Sequence, residues 1–178
     1  IIDNPIVVDR DGPLVIHGNQ QIFLQPRDNT KPLFVVRRTS YFNVERFKID
    51  YDLYRPGGPE PEATNVRGIV FENREPLRAD FQQVELLGAS LDVEGPGTFV
   101  LQRYGSKMRG LLHAGIDIDH PKAEVYVLSG GGGNHDEPPV LDSEDIYWIW
   151  CRRGHLEVYS SFPSGFTRGR ADIRIDTP

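Results

Sequence analysis

Apolar residues in this chain come in short runs separated by polar, glycine- or proline-bearing breaks. No window keeps a sustained helical apolar period with caps at both ends, so very little helix is expected and the chain reads as all-β. The stretch 33–50, LFVVRRTSYFNVERFKID, sets the pattern: an apolar strand, a polar corner, then an apolar-charged alternation. Val44, Phe47 and Ile49 stand three and then two residues apart. The same spacing recurs at Phe81, Val84 and Leu86, at Leu111, Ala114 and Ile116, and at Cys151, Gly154 and Leu156. Each trio follows an apolar run: Phe34 to Val36, Ile69 to Phe71, Phe99 to Leu101, and Ile146 with Trp148 and Trp150. Such repetition marks stacked units that cannot bury their apolar face alone, as in the coils of a β-solenoid.

Taken in order, PIVV, LVIHG and QIFLQP make a first coil, with a turn at Asp11-Gly12-Pro13. After the organising stretch, DLYRPGGPEPEATN is too rich in Pro and Gly for a regular element and should protrude as a loop. RGIVFEN, the corner REPLRAD and FQQVELLG repeat the coil, with Leu91 to Glu94 as its third strand. FVLQRY, LLHAGIDID and AEVYVLSG repeat it again. Gly130 to Gly133 with NHDEPP is a second loop, and IYWIWCRRGHLEVYSS and ADIRID close the chain. Asp11-Gly12 is the only Asn-Gly or Asp-Gly hairpin signal, and Pro follows it, which favours parallel coils over an antiparallel meander. The expected fold is a single right-handed parallel β-helix over residues 1–178, with an antiparallel β-sandwich as the alternative. Phe47 should then stack on Val84, and Val84 on Ala114.

RGIVFEN, FQQVELLG, GIDID and ADIRID resemble, as a pattern, the coils of the pectin-lyase-like superfamily of right-handed parallel β-helices. That superfamily includes pectate lyases, polygalacturonases, alginate epimerases and phage tailspikes. The resemblance implies an apolar cylinder, a carbohydrate bound along one outer strand face, and an extracellular or cell-surface location. The NTD, DD, GHG and RIK motifs of polygalacturonases are not in the sequence, where RID replaces RIK near the end.

Composition narrows the classes. With 178 residues the chain fits one domain, and 18 glycines with 14 prolines indicate many turns. A net charge of −6 argues against a nucleic-acid partner, and the longest apolar runs are far short of a membrane span. Cys151 is the single cysteine, so no intrachain disulfide forms. Both ends read as strands in mid-fold, which suggests a segment of a longer chain or ends that stack on another subunit.

Candidate chemistry gathers in GIDIDH. With Ile116 and Ile118 inward, Asp117 and Asp119 face outward about 7 Å apart, with His113 on the same strand. Such a pair could serve as acid and base in glycoside hydrolysis or hold a hard cation such as Ca²⁺; equally, alternation alone explains polar residues there. Aligning Ile49, Leu86 and Ile116 places Lys48, Asp50 and Glu85 in neighbouring coils beside Asp117, a mixed ladder that could line a sugar groove or merely pair its charges on a wet face. Arg37, Arg38, Arg152 and Arg153 sit at corners, where a lyase would place its base and where arginines commonly bind exposed carbonyls. His135, Asp136 and Glu137 lie in the glycine loop without a second ligand set. Trp148 and Trp150 share a face with Ile146 and are expected inside, with Cys151 opposite. The sequence thus supports a carbohydrate-active β-helix, a lyase or glycoside hydrolase, or else a structural segment of a spike, adhesin or filament that self-associates through its ends.

Overall fold

The computed structural model describes residues 1–19, 23–28, 30–51, 67–87, 89–104, 107–109, 114–129, 147–159 and 173–176. His113, Leu111, the loop with NHDE, the whole insertion after Tyr51 and the side chain of Trp148 lie outside these residues. The described residues form strands and no helix.

The strands are β1 (Ile6–Asp9), β2 (Leu14–His17), β3 (Phe23–Leu24), β4 (Phe34–Arg38), β5 (Tyr41–Glu45), β6 (Lys48–Asp50), β7 (Arg67–Phe71), β8 (Leu77–Gln82), β9 (Glu85–Leu87), β10 (Ser90–Val93), β11 (Thr98–Tyr104), β12 (Lys107–Arg109), β13 (Ala114–Ser129), β14 (Tyr147–Tyr159) and β15 (Ile173–Ile175). From β1 to β13, strands adjacent in sequence do not pair and each pairs with one a rung away; the long β13 and β14 pair with each other, and β14 with β15. A first ladder joins β1, β4, β7, β10, the first halves of β13 and β14, and β15. A second joins β2, β5, β8, β11 and the second halves of β13 and β14. A separate four-stranded sheet joins β3, β6, β9 and β12. Because β13 and β14 run through both of the first two ladders, these form one parallel sheet that curls into a half-barrel. Every strand pairing among the described residues is parallel, which leaves no place for the antiparallel sandwich.

Side-chain alternation then fixes the core. On the first ladder Phe34, Ile69, Leu91, Ile116 and Ile149 stand in register and are fully or almost fully buried, as are Val36, Phe71, Val93, Ile118 and Cys151. Phe42, Ala79, Leu101 and Val127 do the same on the second, and Ile49 over Leu86 on the third. Phe42 meets Phe34, Phe71 and Phe81 edge to face at centroid distances of 5.7, 5.8 and 6.1 Å, the arrangement that ring quadrupoles favour.

The expected phase of the coils is corrected at one point. Phe47 and Val84 do occupy equivalent buried positions, and the Glu85 amide donates to the Phe47 carbonyl at 3.0 Å. Val84 does not stack on Ala114, which opens β13 on the first ladder opposite Tyr147. Likewise Leu91 to Val93 begin a new rung on Ile69 to Phe71 instead of completing the previous one. Register partners in successive rungs consequently stand between 22 residues apart, as from Ile69 to Leu91, and 37 apart, as from Phe42 to Ala79.

Candidate functional site

Between the two buried series of the first ladder runs an outward series: Val7, Val35, Val70, Asp92, Asp117, Trp150 and Arg174. Halfway along, the apolar side chains give way to two carboxylates on adjacent parallel strands, about 4.8 Å apart at the backbone. Both residues are only 6% exposed. The repeat Leu91-Asp92-Val93-Glu94 against Ile116-Asp117-Ile118-Asp119 produces this placement, since each acid follows an inward aliphatic.

The two neighbours are held differently. Asp117 takes a fork from Arg152, whose Nε lies 3.0 and 3.1 Å from the two carboxylate oxygens and whose Nη2 lies 2.8 Å from Oδ2. Such a charge-assisted, bidentate pair fixes the orientation of the carboxylate. Asp92 receives the Ser90 hydroxyl on Oδ2 at 2.8 Å. Burial pushes its pKa well above the usual carboxylate range, and the charges of Asp117 and Glu94 push the same way, against Ser90 and Arg67. Arg67 donates to Glu94 at 2.6 Å, and Arg153 to Asp119 at 2.6 Å. Arg67, Asp92, Glu94, Asp117, Asp119 and Arg152 together line a depression of about 190 Å³.

Beside it, Trp150 faces outward. The guanidinium of Arg152 lies 3.9 Å from its ring centroid and that of Arg174 4.5 Å, while its Nε1 donates to Asp176 at 2.8 Å. Hydrogen bonds from Arg174 and then Trp150 hold the Asp176 pKa below its usual value. The expectation of Trp150 inside and Cys151 outside is thus inverted: Cys151 is buried next to Ile149, and burial raises its thiol pKa.

Past Glu94 the depression meets a larger cleft of about 1010 Å³ along the stacked corners between the first and second ladders, bordered by Arg37, Glu72, Arg74, His120 and Lys122 among others. One wall owes its height to a local mismatch. Asp119 pairs with Arg153 and Glu124 with His155, so His120, Pro121, Lys122 and Ala123 bulge out opposite Gly154 alone.

Of the residues singled out in the sequence, Asp117 and Asp119 line the same depression, each on an arginine. His113 lies outside the described residues. Lys48 and Glu85 form an ion pair of 3.3 Å on the third ladder, and Asp50 stands there opposite Leu87. They do not flank Asp117, so the expected mixed ladder is replaced by Asp92 on one side and Trp150 on the other. The cause is the phase error described above: Ile116 belongs with Leu91 and Ile149, not with Leu86. Sequence reasoning missed Asp92, Glu94 and Arg67, although SLDVE repeats the alternation of GIDID. Among the described residues no group of three or more His, Cys, Asp or Glu side chains could hold a metal ion; Asp117 and Asp119, for which a hard cation such as Ca²⁺ was one open reading, each contact a guanidinium group.

No protein-family model matches the sequence, and no curated protein or solved structure matches the chain.

Proposed function

We propose that the chain is a carbohydrate-active right-handed parallel β-helix that binds and cleaves a polysaccharide on the outer face of its first ladder. The observation that carries this reading is the pair of adjacent, differently held carboxylates, Asp92 and Asp117, lining a depression that shares Glu94 with a larger cleft. A chain-like ligand fits a depression with such a neighbour, and paired carboxylates are the working groups of glycoside hydrolysis. Three parallel ladders support the helical path, and parallel crossovers are almost always right-handed.

Hydrolysis is favoured over elimination. A lyase base must take a proton, whereas the Arg152 guanidinium is committed to Asp117 and arginine stays protonated. A panel of neutral and acidic polysaccharides should therefore yield new reducing ends without the ultraviolet absorbance of an unsaturated product. Asp117→Asn should abolish that release; unchanged turnover would remove Asp117 from the reaction.

A second reading, a structural segment of a spike, adhesin or filament, is favoured by the apolar side chains exposed on the first rung: Ile6, Val7, Val15 and Phe23. Exposed strand edges with apolar side chains template association. Light scattering over a range of concentrations should show growth in mass under this reading, and a constant monomer mass would remove it.

A further inference from the structure

Resting on the carbohydrate reading above, we propose that the larger cleft holds an ester-bound tetrahedral oxyanion of a substituted glycan, a sulfate or phosphate group, between Arg74 and Lys122. The cleft has a definite cause. Three corners are stacked there: the Glu94 and Gly95 amides donate to the Phe71 carbonyl at 2.9 and 3.0 Å, that of Gly97 to Asn73 at 3.2 Å, and that of Glu124 to Gly97 at 3.3 Å. The outer two corners project, with Arg74, Glu75 and Pro76 exposed on one and Pro121 and Lys122 on the other. The middle corner, Gly95-Pro96-Gly97, stays low: both glycines are buried, and a Cβ at either would collide with Asn73 beneath. A notch results between two raised walls, two strand spacings or about 10 Å apart at the backbone.

Charge then selects what enters. Of the carboxylates along the cleft, Asp9 is paired with Arg38, Glu72 with Arg37 and Glu94 with Arg67. Arg74 and Lys122 stand on the facing walls, and among the described residues neither side chain has an ion pair or a hydrogen bond. His120 adds a neutral donor to the Lys122 wall. Its Nδ1 accepts the Lys122 amide at 3.1 Å, so the uncharged imidazole keeps its proton on Nε2.

Cations on opposite walls suit a tetrahedral oxyanion, whose terminal oxygens point several ways, better than a carboxylate, whose two oxygens share one plane and one edge. Glu75, which also has no ion pair, stands beside Arg74 and offers only acceptors. A bare inorganic anion would meet its repulsion and gain nothing from it. A sugar chain carrying the ester supplies an anion for the two cations and hydroxyl groups for Glu75. Length agrees: from Asp9 on the first rung to Lys122 on the fifth, the cleft crosses four strand spacings, about 19 Å, enough for several sugar units.

The test measures binding by calorimetry, with the full chain and independently of turnover. The probes are the members of the polysaccharide panel in unsubstituted, carboxymethylated, sulfated and phosphorylated forms, beside inorganic sulfate and phosphate. At least one sulfated or phosphorylated form should bind about tenfold more tightly than its unsubstituted and carboxymethylated counterparts, and which of the two does so identifies the ester. Arg74→Gln and Lys122→Gln should each weaken that binding about tenfold while keeping the parent's thermal midpoint, because both side chains are exposed and unpaired. Arg10→Gln, which removes an exposed cation outside the cleft, should leave it unchanged. The assignment is overturned if no ester form is preferred on the unaltered chain or if the inorganic anions bind as tightly. It is equally overturned if Arg74→Gln or Lys122→Gln binds as the parent does, or if Arg10→Gln loses as much. In each of these cases new reducing ends from the panel would leave the carbohydrate reading standing, and their absence would overturn both.

Discussion

Arg46 and Gln83 hold their backbones at φ of 57° and 53°, a region that side chains with a Cβ enter at a cost of about 1–2 kcal/mol. They sit one residue beyond the register partners Glu45 and Gln82, so the same corner is turned the same way in consecutive rungs. The left-handed residue is why the apolar spacing is three across the bend, letting Val44 and Phe47, and Phe81 and Val84, all point inward. Arg46→Asn should keep or slightly raise stability in urea unfolding, because Asn tolerates this conformation. Arg46→Val should lower it by about 1–2 kcal/mol, since a β-branched residue does not. Asp92 gives a second residue-scale expectation. Its native pKa lies well above the ordinary 3.8, so between those two values the native state keeps a proton that the unfolded chain has released. Stability contributed by Asp92 is therefore greatest in acid and falls as pH rises through that window. The groups around it are Ser90 and Glu94 on its own segment, Arg67 of β7, Asp117 and Asp119 of β13, and Arg152 of β14. Asp92→Asn should be more stable than the parent at neutral pH, with the advantage shrinking as pH approaches 4; an advantage that grew in acid would contradict the burial argument. Asp117 was legible in the sequence because strict alternation in GIDID leaves one choice of face. Trp150 was not, since IYWIW is apolar or aromatic at every position and a one-residue phase change turns it over.

At the scale of elements, the decisive feature is the corner between the two halves of β13 and β14. Gly154 has φ of 114°, and a Cβ there would stand 2.8 Å from the His120 carbonyl oxygen and 2.9 Å from that of Ala123. Gly154→Ala should therefore destabilise the chain by at least about 2 kcal/mol, combining backbone strain with two close contacts to main chain that cannot rotate away. Thermal unfolding followed by circular dichroism reads this directly, and a loss below a few tenths of a kcal/mol would show that the corner relaxes. The sequence revealed the strands better than their grouping. Leu91 to Val93 follow Leu87 after only Gly-Ala-Ser, which looks too short for a corner, while Gly95-Pro96-Gly97 looks like a rung boundary. Physically the reverse holds: a rung ends wherever the chain regains register with the strand below, however short the link.

For the molecule as a whole, burial forms one continuous cluster from Val8 to Cys151, with Phe42 at the meeting point of three other rings. Phe42→Ala should cost about 3–5 kcal/mol and lower the denaturant midpoint of the whole described core together; loss of one ladder's signal alone would show that the rungs unfold separately. The all-β class and the stacked repeat were legible because period-two alternation and the three-two spacing are both local. The site was only half legible, because Asp92 and Asp117 are 25 residues apart and become neighbours through register alone. The bulge of four residues opposite Gly154 bears on how such a molecule changes over time. The ladders constrain which residues pair but set no fixed length for what joins them, so the exposed Pro121 and Lys122 can be exchanged or added to while the pairing and the buried Ala123 survive. The cleft wall is thus open to variation, and a lineage could acquire a new ligand preference there by insertion or exchange without rebuilding its interior.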